Sequence, residues 1–459
     1  MSDARNARPA PAGAPVPPGG AGAPRGASRR GLPARLRAAA TTPPGRLRLL
    51  GAVLALLVVA FGAVTALEVT GRSHAAGDVV GRSQPLSADA AHIYRSLADA
   101  DTAAASGFLA GAKEPADVRE RYEEDIATAA RLLVKAAANT DGSSASAAEI
   151  TTLNEQLPRY TGLVEQARAA NRQGLPLGGA YLRYANQRMT ARLLPAAERL
   201  YEAETARLAE DEGHARAWPA LSLAAGLLVL AALAWAQWRD HRRTNRILNP
   251  GLLAATAATA AALLWLAGAH TAARAGLGDA RAHGQDSLKV LNEARIGSLK
   301  ARANENLTLV ARGAVLTDDG RSDKYATDYG AAMAGLDRAL AEARRLADDA
   351  AGGDPVADAA RWTGEWRTRH TAARHTDEAG DYDGALRQVI GGEASTGAAF
   401  DRVDAALRKA LDHEQGEFTR AAGRARDALS GLPEGAAALT VLGAVGVVAG
   451  VNRRLAEYR

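Results

Sequence analysis

The chain contains no cysteine, so structural disulfides and thiolate metal centres are excluded in any compartment. Aromatic residues make up only 4% of its 459 residues, which is a poor supply for large globular cores. Lysine is nearly absent: Lys113, Lys135, Lys289, Lys300, Lys324 and Lys409 are the whole set, and arginine carries the rest of the basic charge. Catalytic signatures are missing as well, with no GxxxxGK phosphate loop, HExxH zinc motif, GxSxG elbow or kinase signature. What fills the chain instead is alanine, the strongest helix former, which lets helices pack closely with few aromatic side chains. The composition therefore predicts an all-α protein, and its alanine, glycine and arginine bias points to a high-G+C bacterium such as an actinobacterium.

Four apolar runs, Leu49 to Leu67, Trp218 to Gln237, Gly251 to Ala269 and Gly435 to Val451, contain no charged residue. Each approaches the roughly 20 helical residues that a hydrocarbon core about 30 Å thick requires. Arginines sort the segments between them, because positively charged loops resist translocation. Residues 1–48, the 239–249 loop and the 452–459 tail carry 16 basic and 3 acidic residues, whereas the remainder carries 40 basic and 48 acidic ones. The net charge of +5 thus hides two compartments of opposite sign. Basic residues that flank spans are explained by orientation and anionic lipid, so nucleic-acid binding is not expected. The first run exceeds the length of a signal-peptide core and follows a long Pro/Ala/Arg-rich tail, which favours a retained anchor over a cleaved leader.

The expected organisation follows. A disordered cytoplasmic tail (1–45) precedes span 1 (49–67), an extracytoplasmic helical bundle (68–217), span 2 (218–237) and the arginine-rich cytoplasmic loop (239–249). Span 3 (251–269), a second bundle (270–434), span 4 (435–451) and a cytoplasmic tail (452–459) complete it. Apolar residues three and four apart mark four helices in the first bundle, with breakers at Gly111 and Pro115, at 141–144 and at 174–179. The stripes are Ile93, Leu97, Ala100, Ala104 and Phe108; Tyr122, Ile126, Ala129 and Leu133; Ile150, Leu153, Leu157, Tyr160 and Val164; and Leu193, Ala197, Leu200 and Leu208, the last interrupted by Glu204. The second bundle repeats the plan. Ser96-Leu97 and Gly111 align with Ser298-Leu299 and Gly313, Tyr122 and Asp125 with Tyr325 and Asp328, and Arg159 and Gly174 with Arg369 and Gly384. The fold class predicted is an all-α membrane protein with four transmembrane helices and two extracytoplasmic antiparallel four-helix bundles from a tandem duplication, packed as an internal pseudo-dimer.

Individual motifs carry few sites. His370 and His375 are five apart, on different helix faces, and are read as surface residues and not zinc ligands. Thr317-Asp318-Asp319-Gly320 lacks calcium-loop alternation and is a turn. Trp362 and Trp366 form either a core stripe or an aromatic patch for an extracytoplasmic partner. Gly443, Gly446 and Gly450 allow close packing in span 4. Pro219 and Pro433 stand where each fourth helix meets its exit span, as first-turn prolines or as hinges. Arg239, Arg242, Arg243 and Arg246 are the candidate contact for a cytosolic partner. No catalytic, metal or cofactor residue is assigned, and the cytoplasmic segments are too short to fold an output enzyme.

Each half resembles the four-helix-bundle sensor unit of bacterial chemoreceptors, doubled here and without a signalling coiled coil. By span number, bundle size and the arginine-rich central loop, residues 46–459 resemble the GlnX-like four-span membrane proteins of actinobacteria. That resemblance implies a non-enzymatic adaptor between an extracytoplasmic glutamine/glutamate-binding lipoprotein and a cytosolic serine/threonine kinase, protein kinase G. It carries over no individual residue roles. A direct small-molecule receptor and a membrane scaffold without switching are the alternatives.

Overall fold

The computed structural model describes residues 43–140, 144–244 and 249–456. Among them the chain is helical almost throughout, with a single isolated β-bridge between Leu316 and Asp323. The tail before residue 43, Arg246 and the last three residues lie outside the described residues.

The first half enters through α1 (Pro43–Asp78), passes a π-helical turn at Val79–Ser83 and continues without a break as α2 (Gln84–Leu109). From Gly45 to Leu109 this is one rod of 65 residues, about 100 Å long at about 1.5 Å per residue. The helix stops where Gly111 takes φ 70°, a left-handed value that glycine adopts without strain. α3 (Ala116–Asn139) and α4 (Ala145–Arg172) follow, the latter capped by the Ser144 hydroxyl, which accepts from the Ala147 N–H. α5 (Leu177–Arg188) runs through a second π-helical stretch, Met189–Leu193, into α6 (Leu194–Arg216). α7 (Ala220–Thr244) is the exit span.

The second half repeats this plan closely. α8 (Pro250–Asp279) passes a π-helical turn at Ala280–Gln285 into α9 (Asp286–Ala311), which ends before Gly313 at φ 74°. α10 (Lys324–Leu346), α11 (Ala350–Glu378), α12 (Tyr382–Ile390) and α13 (Thr396–Leu429) complete the bundle, and α14 (Leu432–Ala456) is the last span. The match between halves shifts in the third helix. Gly174, at φ 68°, ends α4, and the glycine that ends α11 is Gly380, at φ 92°, while Gly384 lies inside α12.

Among the described residues four helices are long and apolar enough to cross a membrane, which makes this a multi-pass membrane protein. In the spans Phe61, Leu233, Leu252 and Val447 form a shared interior. Leu56, Leu67, Leu228, Leu264 and Leu442 point outward, as lipid contact requires. Small residues set the closest approach: a Cβ on Gly446 would stand 2.9 Å from the Gly251 carbonyl oxygen, and one on Gly450 would stand 2.8 Å from Asn249 Oδ1. Gly443 faces Val58 of α1.

Above the spans, α1, α6, α8 and α13 form a stalk around Val69, Leu208, Leu277 and Phe418. The π turns of the two entry helices, Val79–Ser83 and Ala280–Gln285, lie in this stalk, and Phe418 packs directly on Gly284. The two bundles above it share one core, because α2 and α9 lie side by side. These two helices differ from the single-stripe expectation: they are buried on nearly every face, since each packs into its own bundle and against the other. Their alanines permit that double burial. Glu204 likewise points inward, 2% exposed, where it accepts a 2.6 Å hydrogen bond from Ser146 Oγ.

Candidate functional site

The α2–α9 seam is polar for a buried helix contact. Thr102 Oγ1 donates to the Leu299 carbonyl oxygen at 3.1 Å, Asn306 Nδ2 donates to Ser106 Oγ at 2.7 Å, and Lys300 Nζ reaches Tyr94 Oη at 3.1 Å. Arg95 donates to Asn292 across the same seam. These groups tie the seam at several heights and give it a fixed register.

A charged network straddles it. Arg121 of α3 lies 2.7 Å from Asp99 of α2 and reaches across to Asp401, at 3.5 Å, and Asp404, at 3.9 Å, of α13. Arg295 of α9 contacts Asp404 at 2.6 Å and reaches back to Asp99 at 3.9 Å. Arg408 adds a 3.1 Å contact to Asp404. Burial raises the Asp404 carboxyl, but Arg295, Arg408 and Arg121 outweigh it and hold the group below its ordinary range. Asp99 lies on the other side of the balance: burial, only partly offset by Arg121, leaves its carboxyl raised. Burial, with the neighbouring Asp99 charge, pushes Asp125 up to about 8.

Among the cavities that border the seam, two carry clusters of polar and charged side chains. One, about 370 Å³, lies between α2, α3 and the start of α13, and Arg121, Arg302, Thr102, Ser106, Ser395 and Asp401 line it. The other, about 710 Å³, lies between α9, α10 and the α5–α6 helix, with Arg183, Lys300, Lys324, Asp328, Tyr94 and Tyr325 on its walls. Each takes two helices from one bundle and the fourth helix of the other.

Inside the second bundle, Glu305 accepts from Trp366 Nε1 at 3.2 Å, from Thr396 Oγ1 at 3.0 Å and from Arg302, with His370 Nδ1 at 2.8 Å. This decides between the two readings of Trp366 and corrects the surface reading of His370. Trp366 is fully buried between Tyr329 and Phe400 and offers no surface to a partner. His370 is no surface residue, since its ring stacks on Tyr329 at 3.8 Å and faces Glu305. Trp362 stays half-buried at the edge of the core, with the Arg402 guanidinium 4.2 Å from its ring centroid.

The two exit junctions are built differently. At Pro219 the helix is interrupted, and neighbouring side chains bind the backbone groups freed there. Arg72 of α1 donates to the carbonyl oxygens of Ala217 and Trp218, both at 2.8 Å, and Glu68 accepts from the Ser222 N–H at 2.8 Å. Arg274 of α8 donates to the Arg216 carbonyl oxygen and lies 5.2 Å from the Trp218 ring centroid. At the other junction the turn is made by Ser430 and Gly431, the latter at φ 71°, and Pro433 sits in the first turn of α14. Arg239 and Arg242 lie over the rings of Trp235 and Trp238, at 5.3 and 4.1 Å. The side chain of Arg243 and all of Arg246 fall outside the described residues.

Sequence reading missed the charged seam and the Glu68–Arg72 clamp, whose partners are remote in the chain. The available signal was local: Asp99 and Asp101 interrupt an otherwise alanine-rich, buried helix.

Residues 75–213, from the upper part of α1 through the first bundle to the end of its stalk helix, match the family model of an actinobacterial sensor domain. No curated protein and no solved structure matches the chain. Together with the four candidate membrane-spanning helices, the domain match supports an actinobacterial sensor membrane protein.

Proposed function

We propose that this protein is a non-enzymatic transmembrane signal-relay adaptor. An extracytoplasmic solute-binding lipoprotein of the glutamine/glutamate type docks on the paired bundles. A cytosolic serine/threonine kinase reads the short arginine-rich segments on the other side of the cytoplasmic membrane, where both termini lie. The observation that carries this reading is the pair of unbroken entry helices: α1–α2 and α8–α9 run from the spans through the π turns to the seam between the bundles. A shift at the seam therefore has a rigid route to the membrane. A partner need favour one packing of the seam by only about 1–3 kcal/mol to bias the spans. The arginine-rich surfaces then change, and no chemistry is needed within the chain. Crosslinking and affinity capture of the tagged full chain from native membranes tests this. Recovery of both a solute-binding lipoprotein and a kinase is expected, and recovery of neither overturns the adaptor.

The two polar cavities beside the seam favour a second reading, a direct receptor for a small polar molecule. Calorimetry of the full chain in micelles against the amino acids separates the two readings: binding heat supports the receptor, and its absence across the set counts against it.

A further inference from the structure

The base of the second bundle carries a cluster of ligand-type side chains that the relay does not use. α13 places His413 and Glu417 one turn apart on one face, and the α10–α11 connection brings Asp349 in front of them. His413 Nε2 lies 3.4 Å from Asp349 Oδ1 and 3.9 Å from Glu417 Oε1. The three ligand atoms fall within 4.8 Å of one another. In a tetrahedral site with bonds of about 2.0–2.1 Å, neighbouring donors stand about 3.3 Å apart. Small side-chain rotations close the observed set on one ion.

A second, independent observation points into the same space. Glu414 is only 4% exposed, and its Oε2 has no hydrogen-bond partner among the described residues. Its Oε1 converges with the others on Gly352: a Cβ there would lie 3.1 Å from Glu414 Oε1, 3.5 Å from His413 Cδ2 and 3.6 Å from Asp349 Oδ1. Glycine at this position leaves open the volume these three side chains share. The first bundle solves the same problem differently. Its buried Glu204 on α6 accepts a hydrogen bond on Oε1 from the Ser146 hydroxyl in the first turn of α4, with Oε2 left unpartnered among the described residues, whereas the first turn of α11 offers Gly352 and no hydroxyl. Burying a carboxylate without a donor is costly. Arg420 touches Glu417, at 3.4 Å, from outside the cluster, so one imidazole is left among Asp349, Glu414 and Glu417. A divalent cation balances that excess of negative charge.

We propose that Asp349, His413 and Glu417, with the buried Glu414 carboxyl beside them, form a site for a divalent first-row transition cation of the Zn²⁺ class. The imidazole selects such an ion over Mg²⁺ or Ca²⁺, and the carboxylates complete its charge. Asp349 Oδ1 also accepts the Gly352 N–H at 2.8 Å, which orients the ligand. The bound ion ties the start of α11 to α13, the helix that leads to the last span. This proposal does not rest on the relay reading, and its failure would leave that reading untouched.

The test uses the tag-free full chain in detergent micelles, titrated with Zn²⁺ against a chromophoric chelator and followed in parallel by thermal unfolding. One Zn²⁺ per chain is expected, with a raised melting temperature and no competition from excess Mg²⁺. His413→Gln and Asp349→Asn should each weaken binding at least tenfold and remove the thermal shift, while His370→Gln and His375→Gln should retain both. Should His413→Gln fail to fold, Glu417→Gln carries the same expectation. Absence of stoichiometric Zn²⁺ uptake by the wild type, or undiminished affinity in the folded ligand variants, overturns the site.

Discussion

Glu305 lies at the centre of the second bundle, where it balances the buried Arg302 and gathers Trp366, His370 and Thr396 around one carboxylate. Burial acts to raise this carboxyl, but Arg302 and His370 prevail and hold it below its ordinary value of 4.5. Its stabilising contribution is therefore present above that value and is lost as pH falls through the depressed one. Glu305→Ala leaves Arg302 buried without its counter-charge, and a loss of about 3–5 kcal/mol in denaturant unfolding of the full chain is expected. Asp125 behaves in the opposite sense. Its carboxyl is pushed up to about 8 from an ordinary value of 3.8, so the folded chain holds a proton that the unfolded chain releases between those values. Stability from this group is complete at low pH and is lost as pH rises towards about 8. Thermal unfolding between about pH 6 and about pH 9 should show that loss, and Asp125→Asn should narrow it. These residues were hard to find in the sequence. Charged side chains are expected on solvated faces, and their pairing, as between Arg295 and Asp99, depends on contacts made from remote parts of the chain.

Individual helices were easier to foresee than their joints. Alanine-rich stretches with apolar residues three and four apart gave the bundle helices, and the caps and glycines at their ends, such as Ser144, Gly111 and Gly174, lie where the turns occur. The π turns at Val79–Ser83 and Ala280–Gln285 had no such signal, because a widened turn leaves the composition of a helix unchanged. Each lies in the packed stalk between the bundle and the membrane, so the helix continues through it. The Pro219 junction is different in kind: its proline was visible, while the Arg72 and Glu68 groups that fasten it were not. Arg72→Ala removes the donor to the solvent-accessible Ala217 and Trp218 carbonyl groups, at a cost of about 0.5–1.5 kcal/mol. Limited proteolysis of the full chain in nanodiscs checks this, with faster cleavage around residues 217–219 in the variant and an unchanged pattern elsewhere.

At the scale of the whole molecule, the four spans, the stalk and the two bundles form one assembly in which the seam between α2 and α9 is continuous with the membrane helices. The sequence made the two-half plan visible through its repeated order of span, bundle and span. It did not show that the first helix of each bundle would be buried on nearly all sides by the other, which requires both copies at once. The central claim is that packing at this seam governs the arrangement of the spans. The absence of cysteine allows it to be tested by labelling introduced cysteines with no background. Spin labels at Arg242 and Arg453, near the far ends of α7 and α14, report the spacing of the spans in nanodiscs. Arg295→Ala, which breaks the cross-seam contact with Asp404 and Asp99, is predicted to shift the distance between the labels by about 1–2 Å or to broaden its distribution. A distribution identical to that of the unsubstituted protein, in a variant whose bundles are shown by labels across the seam to have moved apart, would contradict the account.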